Sequence, residues 1–247
     1  MSKIYFLSDA HLGAWTMERE KEKEDRLFSF LERVKREGEA LYILGDLFDF
    51  FFEYRTVIPF RHVRVIEGLA DLVRSGVKVT YIVGNHDYWI GSFFQKVVGV
   101  TLSRKPLEVT LEGKRLFLTH GDSLGNSSLG DRLLKMILRS PLTIFLFSWI
   151  HPDIGSVIAR WVSGRSREKA DSQFRIREEM EKKVGEIHDF ARKKYDEGFD
   201  GVVCGHIHLP KIFEESGKFL LILGDWFQHF SFGILEDGAL RLEIWKS

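Results

Sequence analysis

At 247 residues the chain can bury one large core or two small ones, and 44% hydrophobic with 29% charged residues is the composition of a globular protein, not a disordered one. Lysines and arginines (36) balance aspartates and glutamates (36), which excludes nucleic-acid binding through an overall positive field. The single cysteine, Cys204, excludes an intrachain disulfide, and its apolar run "GVVCGH" predicts a buried, inert thiol.

The chain opens with "MSKIYFLSDAHL", whose apolar run meets Asp9 too soon for a secretory signal, so a cytoplasmic location is expected. "KIYFLSD" reads as the first of six short buried strands, followed by "ALYILGD", "KVTYIVGN", "KRLFLTHGD", "DGVVCGHIH" and "KFLLILGDW". Helical spacing fills the gaps between the first three. Glu18 to Arg36 carries Leu27, Phe28, Leu31 and Val34, and a second helix is expected over roughly Phe60 to Ser75. This alternation implies βαβ units and a mostly parallel sheet. Two hairpins follow from turn dipeptides, "LEVTLEGKRLFLTHGD" at Glu112-Gly113 and "SFGILEDGALRLEIW" at Asp237-Gly238. Residues 124–191 read as a helical insertion within a single domain spanning 1–247.

Each of the six strands ends in a side chain of metal-ligand type: Asp9-Ala-His11, Gly45-Asp46, Gly84-Asn85-His86-Asp87, His120-Gly121-Asp122, Gly205-His206-Ile207-His208 and Gly224-Asp225. In open α/β sheets functional groups collect outside the carboxyl ends of the strands. If the strand period of two continues, Asp9 and His11 share a side, as do His206 and His208. Imidazole mixed with carboxylate suits zinc, manganese or iron better than calcium or magnesium. Seven candidate ligands exceed the needs of one ion, so a pair of metals sharing a carboxylate is expected, as in phosphate ester hydrolysis.

In chain order, D-x-H (Asp9, His11), G-D-x-x-D (Gly45 to Asp49), G-N-H-D (Gly84 to Asp87), H-G (His120, Gly121) and G-H-x-H (Gly205 to His208) resemble the calcineurin-like metallophosphoesterases. The resemblance implies an α/β sandwich of two mixed β-sheets flanked by helices, with the insertion as a cap. It implies one metal held by Asp9, His11, Asp46 and His208 and another by Asp46, Asn85, His120 and His206, with Asp46 bridging. His86 is then a non-ligand that steadies the transition state or protonates the leaving oxygen, while Asp49, Asp87 and Asp122 orient ligands from behind. Within the family, "ALYILGDLFDF", "GNHDYW", "HGDSL", "GHIHLP" and "LGDW" are similar to the branch of UDP-2,3-diacylglucosamine diphosphatases of lipid A synthesis. That branch cleaves the pyrophosphate to UMP and 2,3-diacylglucosamine 1-phosphate by attack of a metal-held hydroxide, usually with manganese. Two divalent ions are therefore expected, manganese first and zinc or iron as alternatives, with Asn85, His86, Ser166 and His206 as candidate substrate contacts. The best-known members carry Arg where His86 stands. The alternative substrates are other nucleotide, phospholipid or nucleic-acid phosphodiesters, and a non-catalytic interaction module is a third reading that the intact ligand set opposes.

The insertion adds a physical clue. "LLKMILRSPLTIFLFSWIHPDIGSVIARWV", Leu133 to Val162, is apolar and aromatic, but Lys135, Arg139, Pro141, Asp153 and Arg160 interrupt it too often for a membrane span. Between Arg132 and Lys169 seven basic residues stand against two acidic ones. Apolar surface beside positive charge suits an anionic membrane face, with Ile144, Phe145, Phe147, Trp149 and Trp161 as the expected apolar surface. The expected partners are a nucleotide-linked lipid and the inner face of a membrane, with no nucleic acid; packing on the sandwich or a homodimer interface is the competing use. His62, His151, His188 and His229 are expected to be surface or structural residues.

Overall fold

Strand β1 (Lys3–Leu7) buries both faces, Ile4 and Phe6 entering one apolar cluster and Tyr5 and Leu7 another. Its sequence is continuously apolar because a strand covered on both sides has no solvent face. The computed structural model describes residues 3–124, 129–158 and 173–246 and arranges them around two sheets. The first holds β1, β2 (Gly38–Leu44), β3 (Lys78–Ile82), β4 (Thr101–Ser103), β10 (Ser231–Glu236) and β11 (Ala239–Ile244) in the order β11-β10-β1-β2-β3-β4. Strands β1 to β4 are parallel, and β10 joins β1 antiparallel. The second holds β5 (Leu107–Leu111), β6 (Lys114–Leu118), β7 (Gly201–Cys204), β8 (Lys211–Glu215) and β9 (Lys218–Ile222) in the order β5-β6-β7-β9-β8. Its centre is parallel and its edges antiparallel.

Between the sheets, Phe6, Leu44 and Ile82 share a cluster with Leu118, Val203 and Leu221. Outside the first sheet lie α1 (Met17–Glu37) and α2 (Val63–Arg74), which bury Leu27, Leu31 and Val34 and Val65, Leu69 and Leu72 at helical spacing. The result is the α/β sandwich of two mixed sheets that the resemblance implied. Two strands lie outside the sequence reading. β4 has three residues, and β8 is an edge whose Ile212 and Phe213 stand among charges. The β8–β9 turn, Ser216-Gly217 at φ 52° and 76°, repeats the left-handed pairs of the two expected hairpins.

After β6 come α3 (Leu129–Leu138), α4 (Pro141–Phe147), a helix over 152–158 (α5) and α6 (Gln173–Asp196). Helix α6 lays Val184, Ile187 and Ala191 on Phe117, Val202 and Leu220, so it is the crossover that joins the parallel strands β6 and β7. The expected insertion boundary at residue 191 therefore falls inside a helix of the sandwich. The cap helices dock through Phe147, which is buried with ring centroids 5.7, 4.9 and 4.7 Å from Phe50, Phe52 and Trp89. Phe147 was expected on the presented apolar surface and is instead the anchor beneath it. Trp161 lies outside the described residues.

Candidate metal centre

Backbone hydrogen bonds draw the strand ends together. In the first sheet Asp9 N donates to Gly45 O (3.0 Å) and His11 N to Asp46 O (2.9 Å); in the second Gly205 N donates to His120 O (2.9 Å) and Leu223 N to Cys204 O (2.8 Å). Across the sheets, His206 N donates to Asp9 Oδ2 (2.8 Å) and His120 Nδ1 to Leu44 O (2.8 Å). The side chains do not arrive by continued strand geometry. Asp9, His11, Asp46, His206 and His208 all adopt left-handed backbone, with φ of 54°, 44°, 52°, 71° and 54°. Each chain curls as soon as its strand ends, which replaces the expected period of two. This conformation costs roughly 1–2 kcal/mol per non-glycine residue, a strain typical of functional sites. Glycines permit the close approach: a Cβ on Gly84 would overlap Asp46 Oδ1, and one on Gly205 would overlap Asp9 Oδ2.

Asp46 sits at the centre, with Oδ2 3.3 Å from His120 Nε2 and 3.8 Å from His11 Nε2. On one side Asp9, His11 and His208 gather their donor atoms within 4.8 Å of one another; on the other, Asp46, His120 and His206 do the same. Asn85 Oδ1 joins the second group 3.1 Å from His120 Nε2. A third group of His11, Asp46 and His86 satisfies the same limit. His86 stands at the rim, 24% exposed, with Nδ1 bonded to Asp49 O (3.0 Å), which leaves Nε2 for the site.

Charge is concentrated here. Burial alone would raise Asp9 and Asp46, yet histidines beside them, His11 and His208 for Asp9 and His120 for Asp46, hold both carboxyls below their ordinary range. Burial works against the cationic form of His11, but Asp49 and Asp9 carry it up to about 9; Asp46 likewise carries His120 to about 10. Burial and neighbouring His120 push His206 down to about 4. The carboxylates thus draw positive charge into a buried cleft.

Each remaining acid has its own role. Asp49 Oδ1 lies 3.4 Å from His11 Nδ1. Asp87 accepts from Leu47 N (2.9 Å), Gly84 N (2.8 Å) and the Tyr81 hydroxyl, so it braces the loops after β2 and β3 instead of orienting a histidine. Asp122 pairs with Arg139 (2.6 Å) and Lys135 (3.2 Å), tying α3 to the end of β6. Asp225 Oδ1 accepts from the amides of Phe227, Gln228 and His229, and Oδ2 meets His229 Nδ1 at 2.5 Å, so this strand end faces its own loop and not the ligands. Ser166 lies outside the described residues. Cys204 is buried, its thiol pushed up to about 12 by that burial. His62 is buried; His151 is exposed. The sequence reading did not single out Glu20 and Lys23, because an acid and a base three apart on a helix look like a solvated pair. Lys23 is nevertheless buried and donates to His11 O (2.9 Å).

This donor set fits two divalent cations. Asp9 Oδ1 is buried without a hydrogen-bond partner, and His11 Nε2 and His208 Nε2 stand 3.1 Å apart, a spacing suited to two nitrogens that each reach one ion at about 2.0–2.1 Å. Nitrogen and carboxylate donors together match zinc, manganese or iron.

A match to the calcineurin-like phosphoesterases spans residues 2–210. The UDP-2,3-diacylglucosamine hydrolase of Porphyromonas gingivalis is 31% identical, over 98% of this chain and 97% of its own. The proteins of the same name from Aeromonas salmonicida and Pseudomonas savastanoi pv. phaseolicola are each 31% identical, over 96% and 90% of this chain and 91% and 88% of theirs.

Proposed function

The chain belongs to the calcineurin-like phosphoesterase family, and from that premise we propose that it hydrolyses the pyrophosphate of UDP-2,3-diacylglucosamine to UMP and 2,3-diacylglucosamine 1-phosphate. The observation that carries this reading is Asp46 set between two histidine-rich donor groups, 3.3 Å from His120 Nε2 and 3.8 Å from His11 Nε2, in a chain similar along nearly its whole length to hydrolases named for that substrate. Asp9, His11, Asp46 and His208 would hold one ion, and Asp46, Asn85, His120 and His206 the other. Two such cations, manganese by preference, supply the Lewis acidity that activates water and neutralises charge on phosphoryl oxygens.

The protein's part is positioning and proton transfer. Leu44 O and Asp49 engage the Nδ1 atoms of His120 and His11, so both rings present Nε2 to the site. His86, fixed through Asp49 O, turns Nε2 toward the leaving oxygen and protonates it, while Asn85 and His206 contact the phosphates. The cap receives the lipid. Leu133, Leu134, Leu142, Phe145 and Trp149 are exposed on α3, α4 and the turn after it, an apolar surface suited to acyl chains and to the inner leaflet of a membrane. Among the described residues no helix is long and apolar enough to cross a membrane; the attachment we propose is through this exposed apolar face.

The test is incubation of the manganese-loaded protein with UDP-2,3-diacylglucosamine in mixed micelles, with mass spectrometry of the products. UMP and the lipid 1-phosphate are expected in equal amounts. Cleavage of a simple chromogenic diester without cleavage of the lipid would transfer the assignment to another phosphodiester.

A further inference from the structure

We propose that Trp15 and Phe227 form a stacking ledge beside the metal centre that receives the base of a nucleotide. The proposal rests on the reading of the substrate as nucleotide-linked, and it assigns the second half of that substrate. A pyrophosphate lying across the metals has two ends. The cap, docked on Phe50, Phe52 and Trp89, serves the acyl end. A different aromatic surface begins where His11 and His208 end: the Phe227 ring meets His208 edge-on at 5.2 Å and His11 at 5.9 Å, and Trp15 packs on Phe227 at 4.7 Å with 37° between planes. Both rings are half-buried and keep surface to offer.

The ledge is held by groups that the hydrolytic reading leaves without a task. The Glu20 carboxylate accepts from Gly13 N and Trp15 N, each at 2.9 Å. Buried Lys23 donates to Glu20 (3.0 Å) and stands 4.1 Å from the centroid of the Trp15 ring. Asp225, the strand-end acid that turns away from the ligands, accepts from Phe227 N at 3.0 Å. Two carboxylates therefore fix the backbones of the two aromatic residues, Lys23 at 4.1 Å and Arg19 at 5.5 Å stand over the Trp15 ring, and Phe227 touches the histidines of the candidate metal centre. A structural core does not require this, since core aromatics are normally fixed by packing alone. Base–aromatic stacking accepts any base, because every base has a π-face, and contributes about 5- to 150-fold in affinity.

Calorimetric titration of the manganese-loaded protein with UMP and with ribose 5-phosphate isolates the base. Both carry the phosphate and ribose, so the ratio of their dissociation constants reads the ledge. In the unaltered protein UMP should bind at least about 5-fold tighter. Trp15→Ala and Phe227→Ala should each bring the ratio close to one, and Trp15→Phe should restore most of it. Equal affinities in the unaltered protein, or a ratio that survives both alanine variants, would overturn the proposal. If Trp15→Ala loses ribose 5-phosphate as well, the fold has been damaged and Phe227→Ala decides. The substrate reading is tested apart: a ledge-dependent ratio without lipid cleavage leaves the ledge and removes the lipid, whereas lipid cleavage with a ratio near one removes the ledge alone.

Discussion

Asp46 and His86 are joined by a hydrogen bond from His86 N to Asp46 Oδ1 (2.9 Å), yet their side chains should fail differently. Asp46 lies between the two donor groups, 3.3 Å from His120 Nε2 and 3.8 Å from His11 Nε2, so if it is the shared ligand proposed above, Asp46→Asn should lower affinity for both ions by more than the ~10–100-fold expected of an outer partner. Metal content after gel filtration, read beside turnover, checks this; full occupancy with normal turnover would contradict the shared-carboxylate centre. His86→Ala should keep both ions and lose ~10²–10⁴-fold in rate, the range of a general acid. Loss of an ion there would make His86 a ligand. His62 tests electrostatics away from the ligands. Burial pushes this histidine from 6.5 down to about 4, against Phe48 at 4.6 Å, with Nδ1 unpartnered. The unfolded chain binds the proton that the folded chain refuses. The stability His62 permits is therefore complete above the unfolded pKa and falls as pH drops from 6.5 toward about 4, by on the order of 3 kcal/mol. His62→Leu should flatten that part of the acid slope in urea melts run with chelator, and an unchanged slope would place the titration elsewhere.

Helix α4 is short, and its stability must come from docking rather than propensity. Phe147 supplies that docking, so Phe147→Ala should cost about 3–5 kcal/mol locally. Amide exchange should accelerate in α3 and α4 while β1, β2 and β7 keep their protection, and cleavage of the diacyl substrate should fall more than cleavage of a small diester. Uniform acceleration would mean that the cap and sandwich melt as one unit. What could be read beforehand at this scale follows a physical division. Strands buried on both faces announce themselves as apolar runs, and the turns Glu112-Gly113 and Asp237-Gly238 announce hairpins, because these signals are local. The candidate ligand positions stand in the sequence as residue types at strand ends. Their left-handed backbones do not, since five non-glycine residues in that conformation are held by hydrogen bonds between loops distant in sequence. For the same reason Asp122 and Asp225, which look like their neighbours in the chain, proved to serve α3 and the Phe227 loop. The role of α6 was hidden too, because its charged composition masks the narrow stripe of Val184, Ile187 and Ala191 on the second sheet.

At the scale of the whole molecule, the ligand loops gather at the strand ends of both sheets, and the cap is tied there through Asp122 and Trp89, whose Nε1 donates to Leu138 O at 2.7 Å. An apolar cap surface fixed beside a charged cleft gives the molecule an orientation: binding a bilayer through α3, α4 and α5 would bring the cleft to the lipid headgroups, where a diacyl substrate presents its pyrophosphate. Leu134, Phe145, Trp149 and Ile154 are 53%, 58%, 78% and 57% exposed, so replacing all four with Ser should leave the sandwich intact. Each inserted side chain contributes roughly 1.5–3 kcal/mol on full burial, so even partial insertion of four predicts a drop of well over 10-fold in vesicle binding. Sedimentation with phosphatidylglycerol vesicles measures it. Salt should weaken the binding of the unaltered protein only in part, because Lys135 and Arg139 are already paired with Asp122 and the apolar term is not screened. Vesicle binding that survives the four substitutions, or that vanishes entirely in moderate salt, would assign the attachment to charge and leave the exposed cap face to a second copy of the chain.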